Sequence, residues 1–323
     1  MPTELSRALR FHENGEPLDV LRDEQVEVSD PRAGSIRVRV IATGLNPADW
    51  ALTTGFVPGP LPRGIGYDVA GVVEAVGEAV ETTRAGDVVF GSADLSLSSA
   101  GAAGLAILDK WAAMPAGLDP VQAATLPMVA ITTAWTLDLL KLRPGTSLVV
   151  NGAGGMVGYA MVQIALLRGL KVIATAGPTF ASALEGFGAQ VTAYGEGLVE
   201  RVHALTGAAA VDFVLDASRA NAGSLRDLVA LTGGDPKRVM TISNHASADE
   251  LGVRVNLREL RTAEPAPSSQ VFAEFGALAA RGEFHLPIAR AYPFDQWRDA
   301  VERSASGQPR GKIVLLAPSG ASN

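Results

Sequence analysis

The sequence predicts an α/β fold in which a doubly wound parallel sheet is joined to a barrel-like β module. Three observations carry this. Residues 147–255 alternate strand-like and helix-like segments, the pattern of a parallel sheet covered on both faces. Residues 1–120 hold short strands punctuated by Gly and Pro turns. A run rich in glycine, Gly152, Gly154, Gly155 and Gly158, stands between an apolar strand and an apolar helix. At 323 residues the chain exceeds the usual size of one compact core, so two domains are expected.

In order along the chain, GSIRVRVIATGL alternates apolar and charged residues as a half-buried strand does, and YDVAGVVEAVGEAV reads as a strand pair punctuated by Gly71 and Gly77. AGDVVFGS is a turn and a short strand, and a soft stretch leads into a further strand before Met114. At about Leu118 the texture changes. DPVQAATLPMVAITTAWTLDLLKL has helical apolar spacing behind an Asp-Pro start and stops at RPG. Strands follow at SLVVNG, LKVIATA, AQVTAY, VDFVLDA and RVMTIS, with helices over 155–168, 180–187, 198–205 and 222–231 between them. Two helices and the strands LPIARAYPF and GKIVLLA close the chain, the last expected to rejoin the first module. The expected domains are 1–120, 121–265 and a return over 266–323.

Composition narrows the chemistry. Lys plus Arg is 27 and Asp plus Glu is 34, a formal net charge of −7, and no long basic run gives nucleic acid a footing. No cysteine is present, which removes disulfides, thiolate catalysis and Cys-ligated zinc. His12, His203, His245 and His285 are far apart in sequence, read as surface or packing residues, and no protein-bound metal is expected. Neither a membrane span nor an apolar leader is read, so a cytoplasmic location is expected.

The glycine turn reads Ala153-Gly154-Gly155-Met156-Val157-Gly158. It departs from G-x-G-x-x-G only at its first position, in the strand–turn–helix context that gives that pattern its Rossmann meaning. Gly155 would let the backbone approach a pyrophosphate, Gly158 would let the helix pack on the sheet, and the helix N-terminus would offer N–H groups to phosphate. NAD sites carry an acid about 20 residues on, for the ribose 2′-hydroxyl. Here the region reads Ala174-Thr175-Ala176-Gly177-Pro178-Thr179, without an acid. The vacancy favours NADP(H). No Arg or Lys stands between Ala174 and Gln190, so hydroxyls of Thr175, Thr179 and Tyr194 are the candidate phosphate donors, against a plain turn role for the threonines.

Seven stretches together resemble the medium-chain dehydrogenase/reductase superfamily, in its zinc-independent quinone oxidoreductase and enoyl reductase branch. They are GLNPADWALTTG, GYDVAGVV, GDVVFG, LPMVAITTAW, LRPGTSLVVNGAGGMVGYAMVQIA, VLDAS and GKIVLL. The resemblance implies a GroES-like catalytic barrel split in sequence around a Rossmann domain, NADPH, a quinone or enone substrate, and a homodimer. It places Asn46 and Thr133 at the nicotinamide end, Ala153, Gly155, Val157 and Gly158 at the pyrophosphate, and Tyr194 at the adenosine phosphate. Ser218, Ser243 and Asn244 fall along the nicotinamide ribose. The zinc-dependent relatives carry Cys and a His-Glu pair, and this chain reads Tyr67-Asp68 at the latter. Phe56 stands where some enoyl reductases place a tyrosine proton donor.

The implied chemistry is a hydride to an electrophilic β-carbon and a proton to the resulting enolate, which demands geometry above all. Tyr67 is the candidate donor to the carbonyl oxygen, against a core tyrosine bonded elsewhere. Asn46 is the second catalytic candidate, against a turn role before Pro47. Asp49 reads as a cap of the helix begun at Pro47. Trp50, Phe56 and Tyr67 are the candidate substrate wall, against core packing. Water is an equal candidate for the proton. Other readings are a cofactor-binding structural or RNA-binding protein, the latter opposed by charge, and a zinc-free alcohol or carbonyl dehydrogenase, which lacks a Lewis acid.

Overall fold

The structure is a computed structural model, and residues 3–219, 225–262 and 269–318 are described. The chain divides into two compact units, Met1–Ala130 with Ser268–Asn323, and Ile131–Pro267. The first junction falls later than the change in texture near Leu118. The cause is local: the expected single helix breaks at Pro127 into Pro120–Ala123 and Pro127–Leu140. Asp119 caps the first piece through the N–H groups of Val121 and Gln122. The second is tied down at its start, where the Met128 N–H donates to Asp68 Oδ1 at 2.7 Å.

In the first unit the strands are β1 (Thr3–Phe11), β2 (Arg22–Ser29), β3 (Ile36–Leu45), β4 (Arg63–Gly64), β5 (Asp68–Val76), β6 (Val88–Ala93) and β7 (Leu105–Ala113). The second unit holds β8 (Ser147–Asn151), β9 (Lys171–Thr175), β10 (Gln190–Thr192), β11 (Phe213–Asp216), β12 (Val239–Thr241) and β13 (Arg254–Val255). The chain then returns with β14 (Ile288–Tyr292) and β15 (Lys312–Leu316).

The first unit has a three-stranded sheet, β2-β1-β4, and a six-stranded one, β14-β15-β3-β5-β6-β7. An additional β3–β7 pairing closes β3, β5, β6 and β7 into a ring, the small barrel expected from the short strands. Apolar alternation fills it: Ile36, Val38 and Val40 meet Val69, Val73, Val89 and Leu108. β15 pairs antiparallel with β3, Ile313 opposite Leu45, so the last strand does rejoin the first module. One strand was misread. Residues around Gly71 form a single strand, not a pair, because Gly71 serves close strand approach rather than a turn: a Cβ there would lie 2.4 Å from the Arg39 carbonyl oxygen.

The second unit is one sheet in the order β10-β9-β8-β11-β12-β13, with every neighbouring pair parallel. This is the doubly wound order in which connections leave β8 in opposite directions along the sheet, and ligands bind outside the carboxyl ends of the strands at that switch point. β13 escaped the sequence reading because two residues show no periodicity. The core joins Val149, Ile173, Val214 and Val239 of the sheet to Val202, Leu228 and Leu231 of helices. No helix among the described residues is long and apolar enough to cross a membrane.

Candidate functional site

In the second unit the site begins at the turn between β8 and the helix Met156–Leu167. Its glycines fall into two classes. Gly152 has φ +81° and a Cβ there would meet the Ser218 N at 2.5 Å; a Cβ on Gly158 would lie 2.5 Å from the Gly152 carbonyl oxygen. Both are glycine because the protein packs against itself there. Gly154 has nothing within 4 Å of a Cβ, and Gly155 only the Gly152 oxygen at 3.5 Å. Neither has positive φ. Nothing in the protein requires glycine at these two positions, which form the mouth of the turn at the N-terminus of a 12-residue helix. A side chain there would fill the space above free N–H groups, so the turn fits a phosphate-bearing ligand. Ala153 is buried, its N–H bonded to the Thr175 carbonyl at 2.9 Å. Val157 occupies the first turn of the helix.

A buried polar network holds this turn in place, and its centre, Asp216, was not singled out from sequence. Asp216 Oδ1 accepts from Asn151 Nδ2 (3.0 Å) and Ser218 Oγ (2.6 Å), and Oδ2 from Thr241 Oγ1 (2.9 Å) and Asn244 Nδ2 (2.7 Å). Ser243 Oγ donates to the Ser218 carbonyl. Ser218, Ser243 and Asn244 are therefore brought together at the carboxyl ends of β11 and β12. The signal for Asp216 was available in VLDAS, since a carboxylate ending an otherwise apolar central strand must be paired.

Thr175 requires a correction. It is fully buried, accepts from the Gly152 N–H at 3.0 Å and donates to Asn151 Oδ1 at 2.7 Å. Its hydroxyl supports the turn from behind and is not placed to donate to a ribose phosphate. Thr179, by contrast, is exposed in the first turn of Pro178–Gly186, and Tyr194 is 63% exposed, its ring edge 3.8 Å from where a Gly177 Cβ would stand. Arg201 wraps the loop that carries Tyr194, donating to Thr192 Oγ1 and to the carbonyls of Ala193, Gly195 and Glu196. Parallel pairing of β10 on β9, Thr192 opposite Thr175, brings its loop alongside. In the helix Pro127–Leu140, Thr133 is fully buried and its Oγ1 has no hydrogen-bond partner.

The first unit gathers a second group. Asn46 starts the helix Pro47–Thr53, and Asp49 Oδ2 accepts its N–H at 2.8 Å while Oδ1 accepts the Gly66 N–H at 2.7 Å. Asp49 is thus the expected cap and also staples the link between β4 and β5 to the helix. Burial, the nearby Asp68 charge assisting, outweighs these two hydrogen bonds and the Lys312 charge, and pushes the Asp49 carboxyl up to about 6. Asn46 Nδ2 donates to Asp68 Oδ2 (2.9 Å) and to the Gly44 carbonyl (3.1 Å), and Oδ1 accepts from Lys312 Nζ (2.6 Å). Lys312 Nζ also lies 3.0 Å from Asp68 Oδ2. The correction for Asn46 follows: both amide hydrogens are committed inside the protein, so it has none to offer a nicotinamide.

Tyr67 is half-buried, and desolvation, with the charges of Asp68 and Asp109 assisting, pushes the phenol up to about 12. It is neutral at pH 7. Trp50 packs on the core cluster of Leu9, Phe11 and Trp297, with its Nε1 buried and unbonded, which favours a packing role. Phe56 is 66% exposed. The residues at the His-Glu position of zinc-dependent relatives do not fit that metal: a neutral phenol, Tyr67, stands at the first, and the Lys312 ammonium already lies against Asp68, the second, and against Asn46. Among the described residues no group of three His, Asp or Glu side chains could hold an ion.

The chain is similar to known proteins over most of its length. Residues 32–116 match the family of alcohol dehydrogenase GroES-like domains, and residues 187–315 that of zinc-binding dehydrogenases. The quinone oxidoreductase of Rattus norvegicus is 30% identical over 97% of this chain and 98% of its own length. The pikromycin polyketide synthase component PikAII of Streptomyces venezuelae is 31% identical over 89% of this chain, which spans only 8% of that synthase. The solved structure of the CurK enoyl reductase superposes with a TM-score of 0.81 at 24% identity, covering 98% of this chain and 100% of the other.

Proposed function

Because the chain belongs to the medium-chain dehydrogenase/reductase superfamily, in the branch of quinone oxidoreductases and enoyl reductases, we propose that this nicotinamide-dependent oxidoreductase uses NADPH to reduce a quinone or an α,β-unsaturated carbonyl without a metal. One observation carries the cofactor part: Gly154 and Gly155 are side-chain-free where the protein itself does not require it, and no carboxylate ends the next strand.

The Gly154–Gly155 backbone and the start of the helix at Met156 would take the pyrophosphate. Thr179 and Tyr194, with Arg201 lending positive charge behind their loops, would face the adenosine phosphate. Ser218, Ser243 and Asn244 would line the nicotinamide ribose, and the orphaned Thr133 hydroxyl would find its partner on the ring's carboxamide. When bound, the dihydronicotinamide supplies a hydride. The protein's own contribution would be to orient the acceptor and to handle one proton, for which Tyr67, neutral at pH 7 and part-exposed, is the candidate side chain.

Measured dissociation constants for NADPH and NADH test the cofactor; tighter NADH overturns it. Cofactor oxidation with a quinone, an enone and a simple aldehyde tests the acceptor. Turnover of the aldehyde alone would favour a carbonyl dehydrogenase, and none with any acceptor would point to a non-catalytic member of the branch.

A further inference from the structure

Arg201 stands on the helix Leu198–Thr206, and its guanidinium turns back onto the loop that leads from β10 into that helix. Nε donates to Thr192 Oγ1 at 3.2 Å, Nη1 to the Glu196 carbonyl at 2.7 Å, and Nη2 to the carbonyls of Ala193 and Gly195 at 3.0 and 3.3 Å. Every acceptor is a neutral oxygen. Glu196 and Glu200, the acids nearest in sequence, are exposed and form no ion pair with it, and neither does any other carboxylate among the described residues. Arg254, half-buried in the same unit, by contrast closes on Glu259 at 2.7 Å. The Arg201 guanidinium thus holds a loop while its charge stays uncancelled.

What this clamp does to the loop follows from the planar trans peptide, which sets each C=O antiparallel to the next N–H. Drawing the carbonyls of Ala193, Gly195 and Glu196 onto the guanidinium turns the N–H groups of Tyr194, Glu196 and Gly197 away from it. None of these three N–H groups donates to a protein acceptor among the described residues. The approach is close enough to demand glycine at one place: a Cβ on Gly197 would lie 2.9 Å from Arg201 Nη1. Outward N–H groups backed by an uncancelled cation make the outer face of the loop favourable to an anion. Tyr194 stands on that loop, its hydroxyl 3.9 Å from where a Gly177 Cβ would be. Gly177 precedes the helix Pro178–Gly186, whose first turn carries exposed Thr179 and no acid.

We infer that Arg201 sets the preference for a 2′-phosphorylated dinucleotide. It fixes the loop from Ala193 to Gly197 so that Tyr194 and the outward N–H groups meet the phosphate, and its charge favours the phosphate from behind. This rests on the NADPH reading above and deepens it by naming the residue that discriminates the phosphate. Arg201 acts through the loop and is a positioning residue.

The test uses the full chain and reads binding by calorimetry, with NADPH, NADH, 2′,5′-ADP and 5′-ADP as probes. Arg201→Met keeps an unbranched apolar stem and removes the fork and the charge. It should weaken NADPH and 2′,5′-ADP about tenfold or more and leave NADH and 5′-ADP within about twofold. A merely structural role would weaken all four alike. A second measurement needs no variant. Phosphorus NMR of 2′,5′-ADP on the wild type follows the 2′-phosphate through its second ionisation, at about pH 6 for a phosphate monoester, and the bound group should titrate lower than the free one. Equal losses for all four probes, an unmoved NADPH affinity in Arg201→Met, or a bound 2′-phosphate that titrates as in free solution overturns the assignment of Arg201 while NADPH still binds tighter than NADH. A wild type that binds NADH as tightly as NADPH or more so overturns the NADPH reading and this inference with it.

Discussion

Lys312 and Asp68 form an ion pair at 3.0 Å with side chains 3% and 0% exposed, joining the start of the last strand to the start of β5. Two charges that deep are tolerated only when their remaining hydrogen-bonding capacity is met. Asp68 also accepts from the Met128 backbone N–H and from Asn46 Nδ2, and Asn46 Oδ1 takes the ammonium. Lys312→Met leaves a buried carboxylate without its cation and should cost about 3–5 kcal/mol, read as a lower urea midpoint at constant slope. Lys312→Met with Asp68→Asn should lose clearly less than the sum of the two single losses. Additive losses would mean that the two residues do not interact.

The two classes of glycine in the turn make separable predictions. Gly158→Ala pushes a methyl against the Gly152 carbonyl and should destabilise the second unit by about 1–3 kcal/mol. Gly154→Ala meets no protein atom, so stability should stay within about 0.5 kcal/mol while affinity for the dinucleotide falls. Thermal unfolding and cofactor titration on the same samples check both. A Gly154→Ala variant that binds NADPH normally would leave that glycine without an explanation.

Much of this was legible in the sequence, for a physical reason. The parallel sheet announces itself because buried strands and their helices repeat apolar runs at fixed spacing, and the turn announces itself because only glycine permits the approaches at Gly152 and Gly158. What sequence could not reveal is which polar groups find one another. Thr175 reads as a turn hydroxyl facing a ligand, yet it is fully buried and its hydroxyl donates to Asn151 Oδ1 instead. Lys312 lies 266 residues from Asn46 and reaches it only because β15 returns to β3. Arg201 lies far along the chain from the end of β9, and pairing of β10 on β9, not proximity in sequence, brings its loop there.

Asp49 predicts a pH dependence. Its folded carboxyl, raised by burial from the ordinary 3.8 to about 6, holds its proton more tightly than the unfolded chain does. The resulting stability is complete below the unfolded value and is lost as pH rises through the folded one. At about 1.4 kcal/mol per pH unit, the wild type should lose on the order of 2–3 kcal/mol relative to Asp49→Asn between pH 4 and 7. Urea titrations of both proteins across that window give the difference. A flat difference would mean that the two backbone hydrogen bonds to Asp49 offset its burial.

Thr175 separates support of the turn from recognition of a phosphate. Thr175→Val keeps the shape but strands two buried groups, the Gly152 N–H and Asn151 Oδ1. The cost should be about 1–3 kcal/mol, because a buried donor left without its acceptor loses its full solvation. Since the hydroxyl faces away from the mouth of the turn, affinity for NADPH and for NADH should weaken by the same factor. Paired titrations decide the matter: loss confined to NADPH would show that Thr175 touches the 2′-phosphate after all, and that the turn rearranges when the dinucleotide arrives.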